Sequence, residues 1–172
     1  GPSAVSRALL LDDGVPVNDP FGGWIAWRSV PRLGLARVEV APGGASALYG
    51  SFALGGVVAL VPRPIDGSGV DVETYGGSFG TYGVAARAQG RRGALAGSLE
   101  AEHASTDGYA VVAPWDRGAV DGRAAAHHVT VAGRAAADVR GFRLSAGAGW
   151  FDEDQDGGTR FTRAGMRALT AR

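Results

Sequence analysis

The sequence predicts an α+β unit followed by an antiparallel β region within one chain of 172 residues. Two observations predict this division. Over roughly the first 65 residues, short apolar runs alternate with turn signals rich in glycine and proline. From Val70 onward, apolar side chains recur at every second position, which is the period of a strand with two unlike faces.

The composition excludes several classes of protein. There are 17 basic and 17 acidic side chains, so the formal net charge is zero and no nucleic-acid partner is expected. The absence of cysteine excludes disulfide scaffolds, cysteine-based zinc sites and cysteine nucleophiles. No cofactor motif stands out. Both ends of the chain interrupt a pattern, and we therefore expect it to be a piece of a longer protein.

The elements of the first part follow from local chemistry. Residues 8–11 form an apolar run that ends at a turn, and residues 18–23 are typical of a loop. Residues 36–40 alternate as a strand with one apolar face. Residues 45–49 predict one helical turn, and residues 57–61 predict a buried strand closed by prolines.

The second part predicts five or six strands. In the clearest of them, Phe142, Leu144 and Trp150 share one face, and small or charged residues occupy the other. The predicted strands cover residues 70–75, 81–91, 95–102, 128–134, 142–150 and, less clearly marked, 162–172. Segments of this kind suit a transmembrane β-barrel, although a soluble sandwich alternates in the same way. Five or six strands cannot close a barrel, because the smallest have about eight.

The connections between the predicted strands differ in length. Those at residues 91–93 and 137–141 are short, whereas those at residues 107–122 and 152–158 are longer and acidic. Short turns at one end and long loops at the other are typical of outer-membrane barrels. The sequence therefore favours a membrane barrel over a sandwich.

Several motifs along the chain occur in the order of one known family. Residues 9–24, with Asp12-Asp13-Gly14 and Asn18-Asp19-Pro20-Phe21-Gly22-Gly23-Trp24, resemble a segment of the plug domain of TonB-dependent outer-membrane receptors. Residues 37–40 and 44–58, including Leu48-Tyr49-Gly50-Ser51 and Gly55-Gly56, are similar to the end of the same plug. Residues 75–82 and 107–109 are similar to connections near the first barrel strands. The chain departs from the family at Ala41-Pro42-Gly43-Gly44, because the family usually has an arginine before the glycine that follows this strand.

The resemblance implies a fold and a function. Residues 1–66 would be the C-terminal part of the plug domain, and residues 67–172 the N-terminal strands of the receptor barrel, not closed. The whole protein would lie in the outer membrane of a Gram-negative bacterium, in contact with its lipid. It would bind a scarce solute, such as a siderophore or a cobalamin, and pass it to the periplasm under control of the plug. The TonB complex would energise transport through a segment expected upstream, and no catalysis is expected.

The resemblance also places a candidate binding site at the outward end of the plug. Four residues of one loop are the expected substrate-binding residues: Asn18, Asp19, Phe21 and Trp24. Aromatic rings stack on flat or ringed ligands such as metal chelates, and the two polar side chains would hydrogen-bond them. The alternative is that the aromatic rings pack against the barrel wall, and Trp27 is the ring to which this applies most.

Three other interpretations compete with the receptor. A soluble all-β ligand-binding module is the main alternative. Residues 76–80 match G-x-S-x-G, the nucleophile elbow of α/β-hydrolases, but a period-two strand follows where that motif needs a helix. Residues 152–157 resemble the start of an EF-hand loop but have Arg163 at the twelfth position, so only a calcium site shared between acidic loops stays open.

Overall fold

The computed structural model describes residues 8–44 and 53–171. The chain divides into two compact units, Pro2–Pro64 and Ile65–Arg172. The helical turn predicted at residues 45–49 lies outside the described residues. No helix within the described ranges is long and apolar enough to cross a membrane.

The first unit is a four-stranded mixed sheet. Its strands lie in the order β2-β1-β4-β3, with β1 parallel to β4 and the other pairs antiparallel. The elements are β1 (Ala8–Asp12), β2 (Val15–Pro16), a 3-10 helix (Trp27–Ser29), β3 (Leu35–Pro42) and β4 (Gly56–Pro62). The predicted apolar runs therefore form the two central strands.

The core of this unit follows from those two strands. Leu9, Leu11 and Val57 cluster with Ala53. Leu10 is also buried, so β1 is covered on both faces, as a continuous apolar run predicts. In the edge strand β3, by contrast, the apolar side chain of Val40 is exposed. The alternation predicted for this strand is present, but its apolar face is not part of the core.

The second unit is a six-stranded antiparallel sheet in which each strand pairs with its neighbours in sequence. The strands are β5 (Gly69–Gly77), β6 (Thr81–Arg92), β7 (Leu95–Thr106), β8 (Ala126–Val139), β9 (Phe142–Asp156) and β10 (Arg163–Ala171). The period of two predicted five or six strands, and the structure has six, the last of them β10. In the described part of the chain, β5 and β10 are the two edges, and the sheet does not close.

The distribution of exposed and buried side chains on the two faces of this sheet is the reverse of that in a soluble protein. Phe142 is 75% exposed, and Leu95 and Leu99 are exposed on the same face. On the opposite face Arg87 is 1% exposed and Glu100 is 6% exposed. Large apolar side chains normally lie inside and charged ones outside. An exposed apolar face opposite a polar one is the arrangement of strands that meet lipid on one side and a wet lumen on the other.

The connections alternate in length as predicted, with one correction. Tight turns join β6 to β7 and β8 to β9, and Arg140 and Gly141 in the latter have φ values of 50° and 85°. The acidic segment predicted as a loop at residues 152–158 instead continues β9 as far as Asp156. It remains extended because β9 pairs over this length with β8 on one side and β10 on the other. The loop itself covers residues 157–162.

Candidate functional site

The candidate site is the loop that follows β2. Asp13 and Gly14, with φ values of 52° and 80°, reverse the chain between β1 and β2. Positive φ at both central residues is the requirement of a two-residue hairpin turn of type I′, for which Asp-Gly is a preferred pair. Immediately after β2, the Val17 N–H donates to the Leu10 carbonyl oxygen at 3.0 Å. The loop therefore leaves the sheet at a defined point.

The Asn18 side chain ties this loop to β1. Its Oδ1 accepts a hydrogen bond from the Leu10 N–H at 2.7 Å. Its Nδ2 donates to the carbonyl oxygens of Ala8 at 3.1 Å and Gly23 at 3.3 Å. The amide thus satisfies backbone groups along the edge of β1, as another strand would. The structure places Asn18 as a support of the loop.

Asp19 closes the loop on itself. Its Oδ1 accepts hydrogen bonds from the backbone N–H groups of Phe21 at 3.0 Å and Gly22 at 2.6 Å. The Asp19 N–H donates to the carbonyl oxygen of Trp24, and the Gly23 N–H to the carbonyl oxygen of Asp19. This is the local side-chain-to-backbone bonding that makes aspartate favourable in turns. Among the described residues, nothing donates a hydrogen bond to Asp19 Oδ2.

The aromatic rings of the loop differ in their solvent exposure. Phe21 is 98% exposed, Trp27 is 57% exposed and Trp24 is 36% exposed. Trp24 is held close to the backbone because its six-membered ring covers Gly22, where a Cβ atom would collide with it. Phe21 contributes no packing in this state. An exposed apolar ring on a hydrogen-bonded loop can cover the apolar surface of a ligand.

Sequence reasoning found these aromatic residues but missed the role of Gly22. The signal was present in the Gly22-Gly23 pair between two aromatic residues. Gly23 has a φ of 67°, which a glycine adopts without strain. Gly22 is needed for a different reason, since it leaves room for the Trp24 ring.

The other sequence motifs occupy strands and turns of the second unit. Ser78 lies in the hairpin between β5 and β6, and a strand follows where a nucleophile elbow needs a helix. His127 is exposed and His128 is buried, so the adjacent histidines point to opposite faces of β8. No group of three or more acidic or histidine side chains in residues 8–44 and 53–171 is arranged to hold a metal ion.

The aspartates of the EF-hand-like segment face basic side chains on neighbouring strands. Asp152 Oδ2 accepts from Arg167 Nε at 2.6 Å. Asp154 Oδ2 lies 3.3 Å from His127 Nε2. Asp156 similarly faces Arg163 of β10, at 3.6 Å. These carboxylates occupy alternate positions on one face of an extended strand, where successive side chains are roughly 7 Å apart. They therefore do not converge on one point.

Comparison with known proteins identifies the family. Residues 1–57 match the family model of the TonB-dependent receptor plug domain. The chain carries a plug domain of the TonB-dependent receptor family over residues 1–57. Its fold is accordingly plug structure followed by part of an antiparallel transmembrane β-barrel, and its location is the outer membrane of a Gram-negative bacterium.

Two curated relatives are vitamin B12 transporters named BtuB. The one from Photobacterium profundum is 30% identical over 104 residues, which are 59% of this chain and 17% of the transporter. One from Vibrio vulnificus is 37% identical over 71 residues, or 41% of this chain and 12% of the transporter. The TonB-dependent receptor segment thus spans less than a fifth of the length of these relatives.

Solved structures of a ferric enterobactin receptor, PfeA from Pseudomonas aeruginosa, share the fold. The R480A mutant in complex with enterobactin aligns with a TM-score of 0.66 and 18% identity, over 87% of this chain and 26% of PfeA. The G324V mutant aligns with a TM-score of 0.65 and 18% identity, over 90% of this chain and 26% of PfeA. All these named relatives are transporters or receptors.

Proposed function

We propose that the receptor containing this chain binds a scarce solute at the cell surface and passes it to the periplasm. Residues 1–66 are the C-terminal part of the plug that gates the pore, and residues 67–172 are the N-terminal barrel strands. The division of the chain after Pro64 and the plug match over residues 1–57 support this boundary. The exposed apolar face of the β5–β10 sheet meets membrane lipid. TonB supplies energy through a part of the receptor other than the residues described here.

The observation that carries the proposal is an exposed aromatic ring on a loop that is held by hydrogen bonds. Phe21 is almost fully exposed, although the side chains of Asn18 and Asp19 hold the loop with five hydrogen bonds, one of them from the Phe21 N–H. A rigid loop loses little conformational entropy when a ligand binds to it. Phe21 and Trp24 therefore stack on the ligand. Asn18 acts by holding the loop, and Asp19 does the same while keeping Oδ2 for a ligand hydrogen bond.

The ligand class is a bulky solute with a large flat or ringed surface, such as a siderophore or a cobalamin. The names of the relatives support this class, since BtuB is named for vitamin B12 and PfeA for ferric enterobactin. No enzymatic step is included in the proposal.

The proposal is tested by equilibrium binding to the whole receptor in detergent, with vitamin B12 and ferric enterobactin as probes. Phe21→Ala is expected to weaken binding about tenfold, the effect of losing one aromatic stacking contact with its buried area. Phe161→Ala is the matched control, because Phe161 is a similarly exposed ring in the loop between β9 and β10. Binding that is insensitive to Phe21→Ala would remove this loop from the site. Failure of both probes to bind would contradict the proposed ligand class.

A further inference from the structure

A cavity of about 330 Å³ lies between two loops of the second unit. One wall comes from residues 119–123 of the loop that joins β7 to β8. The other comes from Asp156 at the end of β9 and from Thr159 and Arg160 of the next loop. Its volume is at the lower end of the range for small-molecule sites. It lies at the end of the sheet that carries the long connections, which in outer-membrane barrels faces outward.

Backbone hydrogen bonds hold the two walls together. The Gly122 N–H donates to the Gly158 carbonyl oxygen at 2.7 Å, and the Arg160 N–H to the Val120 carbonyl oxygen at 3.3 Å. Asp121 and Thr159 form an isolated β-bridge. The cavity is therefore formed before any ligand arrives, so binding does not have to order both loops.

The acidic side chains of the cavity already have partners. Asp121 Oδ2 accepts a hydrogen bond from the Gly118 N–H at 2.7 Å. Asp156 Oδ1 lies 3.6 Å from the Nε atom of Arg163, which is outside the lining. Each of the two carboxylates therefore already has a hydrogen-bond or ion-pair partner.

The basic side chains of the cavity are less engaged. Arg160 Nη2 donates to the Ala119 carbonyl oxygen at 3.1 Å, which leaves other N–H groups of the guanidinium for a ligand. The Arg123 guanidinium makes no hydrogen bond or ion pair with any residue in the described ranges. The two guanidinium groups therefore have the greater capacity for a new partner.

We propose that this cavity is a subsite for an anionic oxygen group of the ligand, a carboxylate or a phosphate, held by Arg123 and Arg160. Guanidinium groups pair with both anions through two parallel hydrogen bonds. Arg123 is the primary contact. Arg160 makes a second contact and also holds the loop wall through Ala119. This subsite deepens the function proposed above and rests on it for the molecule that carries the anion.

The test is isothermal titration of the whole receptor in detergent with two probes, citrate and inorganic phosphate. Arg123→Gln is expected to weaken saturable binding of at least one probe about tenfold or more, because a charge-assisted hydrogen-bonded contact is lost. Arg117→Gln is the matched control: Arg117 belongs to the same loop, lies outside the cavity lining and bonds the Val112 carbonyl oxygen. It is expected to bind both probes as the unmodified receptor does.

The two probes distinguish a carboxylate subsite from a phosphate subsite. Binding of citrate alone assigns a carboxylate subsite, binding of phosphate alone assigns a phosphate subsite, and binding of both assigns a general oxyanion subsite. The proposal is overturned if neither anion binds saturably, if Arg123→Gln has no effect, or if Arg117→Gln weakens binding equally. Citrate and phosphate carry no large flat or ringed surface, so their binding tests the cavity independently of the aromatic loop, and it needs neither TonB nor transport. Failure of this subsite is therefore distinguishable from failure of the proposed function.

Discussion

The ring of Tyr75 in β5 lies directly over Gly83 in β6. The two residues are cross-strand partners, and a Cβ atom on Gly83 would collide with the tyrosine ring. A glycine in a strand normally loses packing because it has no side chain, and a neighbouring aromatic ring that covers it compensates for that loss. This pair therefore secures the register of the β5–β6 hairpin.

Replacing Gly83 with alanine is expected to destabilise the receptor by about 1–3 kcal/mol, the usual cost of overpacking, because the Tyr75 ring must move. The measurement is thermal unfolding of the receptor in detergent. The matched background is Tyr75→Ala, in which Gly83→Ala should cost much less. If Gly83→Ala destabilised the receptor equally with and without the Tyr75 ring, the destabilisation would not come from a collision with that ring.

Replacing Asn18 with alanine is expected to loosen the loop after β2. Three hydrogen bonds are lost, each with a net value of about 1 kcal/mol, and the Leu10 N–H loses its acceptor. Hydrogen exchange at the Leu10 amide should become faster. Asn18→Asp is the control, since its carboxylate keeps the acceptor for Leu10 but loses the two donated bonds. Unchanged protection of Leu10 in Asn18→Ala would contradict the supporting role.

Replacing Gly22 with alanine is expected to displace the Trp24 ring. The new methyl group would occupy the position of that ring, so Trp24 must rotate outward and become more exposed. Trp24 is labelled so that its fluorescence can be observed separately from that of other tryptophans. Quenching of this fluorescence by a small neutral molecule should increase. Gly67→Ala provides the comparison because a Cβ atom there meets nothing within 4 Å. If quenching is the same in both variants, the ring does not pack on Gly22.

The ion pair between Asp152 and Arg167 is expected to contribute little to stability. Both side chains reach solvent, and exposed pairs usually contribute about 0.2–1 kcal/mol. A double-mutant cycle with Asp152→Asn and Arg167→Gln should give a coupling free energy in that range. The coupling should fall further at about 1 M salt, where charges are screened within a few ångströms. A coupling several times larger would indicate that water is excluded from this pair.

Local patterns were sufficient for most of the sheet and for the position of the candidate loop. Alternation located all six strands of the second unit because side-chain direction along a strand depends only on position. The Asp13-Gly14 turn and the Asn18–Trp24 loop were likewise apparent, because their residues have strong conformational preferences. The structure leaves Phe21 exposed and places the Trp24 ring over Gly22. Their contact with a ligand stays a prediction.

Other features depended on partners that are distant in sequence. The segment from Asp152 to Asp156 is a strand because β8 and β10 both pair with it, and no local pattern contains that information. Asn18 was expected to face a ligand, but the sequence could not reveal that β1 would lie within reach of its amide.

The sequence by itself determined where the strands run, which of their faces are apolar, and where the chain turns, because these properties follow from neighbouring residues. The tertiary structure decided how far β9 extends, what the Asn18 amide bonds, and that Arg123 and Arg160 line one cavity. Those outcomes depend on contacts between segments that are distant in sequence. Such contacts arise from cross-strand pairing and loop docking, which local periodicity does not encode.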